Sequence, residues 1–284
     1  MNYRVVIIPG IWSCLLWSCL FAAQLVAETT ARKIYVAYPE VTDTNDMAFY
    51  YQQALKLALD KTRATDGDFV LEFSSQMLTI DRSMQQVVSG HNADIMWGSV
   101  TAERSKAVLV VPHDLLRGLN QYRLLIINPK NQKKFSKIKN IDEFKQFISG
   151  GADSWTITKI LRQNGIEVRT APYYVSLLKM LSAGRFDYLV RGLHEVRGDV
   201  EWAAALELDI AIESSILLEY KNPITYSFFV SKQNPQLADR LMRGLDIAEK
   251  DGSLQEMFNA LTLFEGSSDF LHQNRRVFIL QNDE

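Results

Sequence analysis

Twice along this chain, short apolar runs of strand length alternate with stretches whose apolar residues recur at helical spacing. That alternation restricts the fold to an α/β class. The first series opens with Lys33–Pro39, a KIYVAYP run that alternates and ends on a proline. Between residues 46 and 61, Met47, Tyr50, Tyr51, Ala54, Leu55, Leu57 and Ala58 repeat at helical spacing, with Asn45 or Asp46 in front to cap the helix. Phe69–Ser74 reads as a strand, Asp81–Ser89 as a helix stopped by Gly90, and Asp94–Ser99 as the next strand. A βαβαβ order of this kind implies a parallel sheet with helices on both faces.

The second series restarts after residue 123. Tyr122–Asn128 (YRLLIIN) is a strand, followed by the polar, lysine-rich stretch 129–139 and a short helix over Ile141–Phe147. Gly150 to Thr156 reads as a loop leading into a helix over Thr156–Asn164, which Gly165 stops. Ile166–Ala171 and Phe186–Val190 read as strands on either side of a helix over Tyr174–Ala183. Pro223–Lys232 is a strand that can return the chain to the first unit, and two amphipathic helices follow, Gln236–Lys250 and Ser253–Leu263. Beyond Gly266 the pattern is less defined. Two α/β units joined by two extended strands make a hinged, two-lobed architecture, which holds a ligand in the cleft between lobes and closes around it. The division expected is 28–123 plus 225–284 for the first lobe and 124–224 for the second.

The first 27 residues stand apart. Arg4 supplies a positive start, Val5 to Ala23 is almost uninterruptedly apolar, and Leu25-Val26-Ala27 ends in a small residue before Glu28, as in a secretory signal peptide cleaved near Ala27. The alternatives are a retained membrane anchor, or a lipoprotein signal at Leu16-Trp17-Ser18-Cys19. Both cysteines, Cys14 and Cys19, fall inside this segment, so the mature chain has no disulfide and must be held by its core. About 257 residues remain for that core, enough for one large domain or two lobes. The formal charge is −2 for the whole chain and becomes −3 without Arg4. With no basic stripe, nucleic acid is excluded as an expected partner.

The stretch from Ala93 to Leu116 carries the clearest chemistry. A short apolar strand (Ile95, Met96, Trp97) runs into Gly98 and Ser99, then Thr101-Ala-Glu-Arg104, then a second apolar run, Ala107–Val111. Small and hydroxyl residues at a strand end offer hydrogen-bond donors, and the guanidinium adds a bidentate pair for a carboxylate. The alternative is an ordinary βα turn with a solvated arginine. Trp97, Trp155 and Tyr38 can stack on a ligand or serve as core. Arg191 ends an apolar strand and either faces the cleft or pairs with Glu195 or Asp199. His194-Glu195 lacks the second histidine of a zinc-binding HExxH helix, and no G-x-S-x-G surrounds Ser99 or Ser154. No metal, cofactor or catalytic residue is expected. His113 shows no partner in the sequence.

Three segments, Asp94–Pro112, Leu181–Asp187 (LSAGRFD) and Asp251-Gly252-Ser253, in that order, resemble the type 2 periplasmic solute-binding proteins, specifically the amino-acid-binding family 3. Asp94–Pro112 is similar to that family's "D…T..R…..S.P" segment, Leu181–Asp187 (LSAGRFD) to its "L..GR.DA" turn and strand, and Asp251-Gly252-Ser253 to its "DGT". The resemblance runs from about Lys33 to Leu263. It implies two mixed sheets flanked by helices, joined by two hinge strands, and a monomer that captures a small ligand for an inner-membrane ABC-type importer or a sensor. By the same resemblance Arg104 grips a carboxylate, Gly98, Ser99 and Thr101 supply donors beside it, and Tyr38 packs on the ligand. Across the cleft, Ser154, Trp155 and Thr156 open a helix whose N-terminus favours negative charge.

One position departs from the family. An aspartate that pairs with the ligand's ammonium is usual five residues past the Asp of "GR.DA"; here that place is Gly192, preceded by Arg191. Glu195 is the nearest substitute, and a more anionic ligand between Arg104 and Arg191 is the other reading. The expectation is therefore an exported, non-enzymatic protein binding a small polar, carboxylate-bearing solute. Two alternatives share its fold: a ligand-sensing or degenerate interaction protein, and an exported dehydratase- or lyase-like enzyme that would use Glu195.

Overall fold

The computed structural model describes Met1, residues 31–44 and residues 46–282. The expected signal peptide and both cysteines lie outside the described residues, as does Asn45. No described helix is long and apolar enough to cross a membrane.

The chain forms β1 (Arg32–Val36), α1 (Met47–Lys61), α2 (Arg63–Asp66), β2 (Phe69–Phe73), α3 (Ile80–Ser89), β3 (Ile95–Ser99), α4 (Ala102–Ala107) and β4 (Leu109–Val110). It continues through β5 (Tyr122–Ile127), α5 (Gln132–Phe135), α6 (Ile141–Phe144), β6 (Ser149–Gly151), α7 (Thr156–Gln163), β7 (Val168–Thr170), α8 (Tyr174–Ser182) and β8 (Tyr188–Gly192). The remainder is α9 (Val196–Ala205), β9 (Ala211–Ile212), β10 (Ile216–Tyr220), β11 (Tyr226–Val230), α10 (Pro235–Lys250), α11 (Ser253–Ala260) and β12 (Arg276–Leu280).

These strands make two sheets. The first has the order β2-β1-β3-β11-β4, with β1 parallel to β2 and β3, and β11 antiparallel to β3 and β4. Helix α1, capped by the Asp46 side chain at the Ala48 N–H, buries Tyr50, Tyr51, Ala54, Leu55 and Ala58 on one face of this sheet with Leu241 and Leu245 of α10. Ala37, Val87, Met96 and Phe229 fill the other face. The second sheet runs β12-β10-β5-β8-β6-β7, with β9 added beside β5. Strand β5 shows why both faces need cover. Leu125 and Ile127 enter one core with Phe135 and Tyr188, whereas Leu124 and Ile126 enter another with Leu177 and Phe186. The fold is thus the expected mixed α/β architecture with helices on both faces of each sheet.

Three local expectations need correction. The 225–284 segment does not stay with the first unit, because β12 pairs in parallel with β10 over Ile216–Tyr220 in the second sheet. The chain thus makes a further crossing between the sheets, through residues 261–275. The Gly150 loop is partly a strand: β6 pairs with β7 and β8. Its glycines look like loop residues, but a Cβ on Gly150 would stand 2.2 Å from the Phe186 ring, so the close approach of that ring requires glycine. Finally, His113 is not partnerless; its Nε2 lies 3.0 Å from Asp246.

Candidate functional site

A cavity of about 350 Å³ opens where the ends of β3 and β8, from different sheets, come together. On the first-sheet side, β3 ends at Gly98 and Ser99, and Thr101 caps α4 by accepting the Arg104 N–H at 3.2 Å. The cap turns the chain so that the Arg104 guanidinium folds back over the strand end. Its Nη1 donates to the Ser99 carbonyl at 2.8 Å and to Thr156 Oγ1, across the cavity on α7, at 3.4 Å. No described carboxylate lies within ion-pair distance of Arg104. A second bridge between the same helices joins Lys159 to Glu103 at 3.0 Å near the surface.

Aromatic rings form the rest of this wall. The Tyr38 hydroxyl donates to the Trp97 carbonyl at 3.1 Å, and the two rings lie 4.7 Å apart. Tyr51 stacks on Tyr226 at 4.8 Å and contacts Trp97 at 5.6 Å. Burial pushes the Tyr38, Tyr51 and Tyr226 hydroxyls well above their usual range, so all three stay neutral donors.

The second-sheet wall is built from the end of β8 and the turn into α9. Arg191 Nε donates to Asp199 at 2.6 Å, its Nη2 lies 3.1 Å from Glu195, and its guanidinium sits 4.6 Å over Tyr174 and 5.3 Å over Trp155. Burial opposes its charge, but Asp199 and Glu195 outweigh that and hold it protonated. Glu195 turns back on its own chain, and Oε2 accepts the Gly192 N–H at 2.6 Å. Burial works against its ionisation too, yet Arg191, Arg123 and the Gly192 N–H hold it down to about 2. Beside it, burial lowers His194 to about 4, leaving a neutral imidazole whose buried Nδ1 has no hydrogen-bond partner among the described residues.

Of the residues singled out in the sequence, Tyr38, Trp97, Gly98, Ser99, Arg104, Trp155, Thr156, Arg191 and Glu195 line this cavity. Thr101 and Ser154 do not: Thr101 is buried as the α4 cap, and Ser154 sits in the turn before α7. Arg191 is placed at the cavity, but it makes both ion pairs that its spacing allowed, so its charge is answered within the protein. Glu195 occupies the space beside Gly192, where a Cβ would stand 3.0 Å from its Oε2.

Sequence reasoning missed Arg123 and Asn120, which also line the cavity. Arg123 Nε donates to the Tyr220 hydroxyl at 2.9 Å, Nη2 donates to Asn120 Oδ1, and the guanidinium lies 5.2 Å over the Tyr220 ring. Its one visible signal was a lone charge inside the apolar run YRLLIIN. Among the described residues, no group of three or more His, Cys, Asp or Glu is placed to hold a metal ion.

No family model matches this chain, and no curated protein matches it in sequence. Solved structures do match in fold. The amino acid ABC transporter substrate-binding protein AbpA from Streptococcus pneumoniae, bound to L-arginine, is 18% identical with a TM-score of 0.62, covering 83% of this chain and 95% of its own. A histidine kinase sensor domain with similarity to periplasmic binding proteins is 15% identical at TM-score 0.60, covering 82% and 96%. The ancestral amino-acid-binding protein AncCDT-1, a precursor of cyclohexadienyl dehydratase, is 16% identical at 0.57, covering 81% and 95%. The chain therefore has the two-lobed fold of the periplasmic binding proteins, with its cavity between the lobes.

Proposed function

We propose that this chain is an exported solute-binding protein that captures a small, polar, carboxylate-bearing ligand, an amino acid or a related organic anion, between its lobes. It acts as a monomer in the periplasm after cleavage near Ala27 and delivers the ligand to an inner-membrane ABC-type importer. The single observation that carries this reading is Arg104. It is a guanidinium at the mouth of an aromatic-lined cavity, already bonded across the lobes to Thr156 and without an ion-pair partner among the described residues. A ligand carboxylate would complete that fork, while the first turn of α7 adds N–H donors around Trp155 and Thr156. Ser99 and Gly98 sit beside the guanidinium, and Tyr38, Trp97 and Trp155 give the ligand its apolar walls. Among the described residues the first lobe is then 31–123 with the chain from 225 to α11, and the second is 124–224 completed by β12.

A binding role also fits Glu195 better than catalysis does. A general acid needs a raised carboxyl, whereas Glu195 is held low and engaged by Arg191 and Gly192. Delivery to a sensor rather than an importer is the second reading, favoured by the likeness to the kinase sensor domain. The test is a screen of small carboxylates by melting temperature and small-angle scattering. The expected outcome is a ligand-dependent rise in melting temperature with compaction of the particle. No shift across the panel would end the proposal.

A further inference from the structure

We propose that the second-sheet wall of the cavity binds a second anionic group at Arg123, so that the preferred solute is a dicarboxylic organic acid with an apolar body and no ammonium beside Gly192. This rests on the cavity being the solute site. Arg123 is 8% exposed and lines the cavity. Its Nε and Nη2 are spent on Tyr220 and Asn120, while Nη1 makes no hydrogen bond within the described residues and lies where a Cβ on Gly192 would be 2.9 Å away. Arg104 and Arg123 are the two cavity guanidiniums with no described carboxylate within ion-pair distance; Arg191 has two. A buried cation with a free donor edge on a cavity is a site for an anion.

The same geometry argues against a ligand ammonium at this place. Position 192 carries no carboxylate, and the space a side chain would take there is filled by His194, whose Cε1 lies 2.7 Å from where a Cβ would stand. The one carboxylate present, Glu195, already takes the Gly192 N–H and the Arg191 guanidinium. An ammonium would face Arg123 and Arg191 with no unengaged carboxylate between them. An acidic group meets Arg123 Nη1 instead, beside a neutral imidazole. Tyr51, Tyr226, Trp97 and Met47 supply apolar surface for the body between the two ends.

The test is calorimetric titration of the native chain with matched probes: phenylsuccinate, 3-phenylpropionate and L-phenylalanine, and glutarate, butyrate and L-glutamate. Each dicarboxylate is expected to bind about tenfold to a hundredfold more tightly than the monocarboxylate of its series, as one charged hydrogen-bonded pair would give. Phenylsuccinate is also expected to outbind L-phenylalanine, and glutarate to outbind L-glutamate. Arg123→Gln and Arg123→Lys should erase the advantage of the second carboxylate, with the unliganded melting curve reporting whether each variant is folded. If they do not fold, the native series alone decides. Tighter binding of L-phenylalanine or L-glutamate than of the probe lacking the ammonium overturns the inference and leaves the solute-binding reading standing. If dicarboxylates gain nothing over monocarboxylates that do bind, it is likewise overturned. Absence of binding by all six probes removes both.

Discussion

Arg104 and Arg191 face one cavity from opposite lobes, and the two walls treat them differently. On the first-lobe wall, Arg104 rests on a backbone carbonyl and a threonine hydroxyl, with no described carboxylate to neutralise it. On the second-lobe wall, Arg191 is clasped by Asp199 and Glu195 and covered by Tyr174 and Trp155. An unpaired guanidinium at a cavity has donors left for a ligand. A paired, sandwiched one has become part of the wall and sets the shape of the site. The same residue type is therefore left without a carboxylate in one lobe and built into the wall in the other, and neighbouring carboxylates decide which.

The largest effect that would sharpen this contrast comes from Asp199→Ala. It leaves the buried Arg191 with Glu195 as its one partner and should lower unfolding free energy by about 3–5 kcal/mol in denaturant titration, as breaking a buried pair does. Near-native stability in that variant would mean that Arg191 is not structurally committed.

A second effect is pH-dependent and centres on His194 of the second-lobe wall. His194 has its folded pKa depressed to about 4 from 6.5, so the unfolded chain binds more protons between those values. Its contribution is present above pH 6.5 and lost as pH falls toward 4, on the order of 2–3 kcal/mol. Glu195, depressed to about 2 from 4.5, adds a further loss below pH 4.5. A stability-versus-pH series should show the first step, and His194→Gln should flatten it. An unchanged slope in that variant would assign the step to other groups.

The smallest effect is expected at the rim. Glu103→Ala removes the exposed bridge to Lys159 and should change stability by less than about 1 kcal/mol, with any effect fading in salt. A larger change would show that the lobes are latched at the surface rather than at Arg104.

How much of this was legible in the sequence follows the same divide. The Arg104 side was readable because strand, small residues, cap and arginine are consecutive, and local spacing fixes where each points. The Arg191 pairings were readable as an alternative because Glu195 and Asp199 stand one and two helical turns on. Arg123 was not, since its partner Tyr220 comes beside it only through sheet pairing between β5 and β10. Strand β6 was hidden because Ser149-Gly150-Gly151 carries no apolar pattern, and its place depends on the Phe186 ring packed against it. Strand β12 was hidden because its neighbour β10 is far away in sequence. Local chemistry was visible; long-range pairing was not.

In the proposed function Arg104 holds the solute's carboxylate. Calorimetry of the native chain and of Arg104→Ala, with the carboxylate that shifts the melting temperature most, decides whether it does. The variant is expected to lose affinity by about tenfold or more, with unliganded stability changed by no more than about 0.5 kcal/mol. Equal affinity in the two proteins would contradict it.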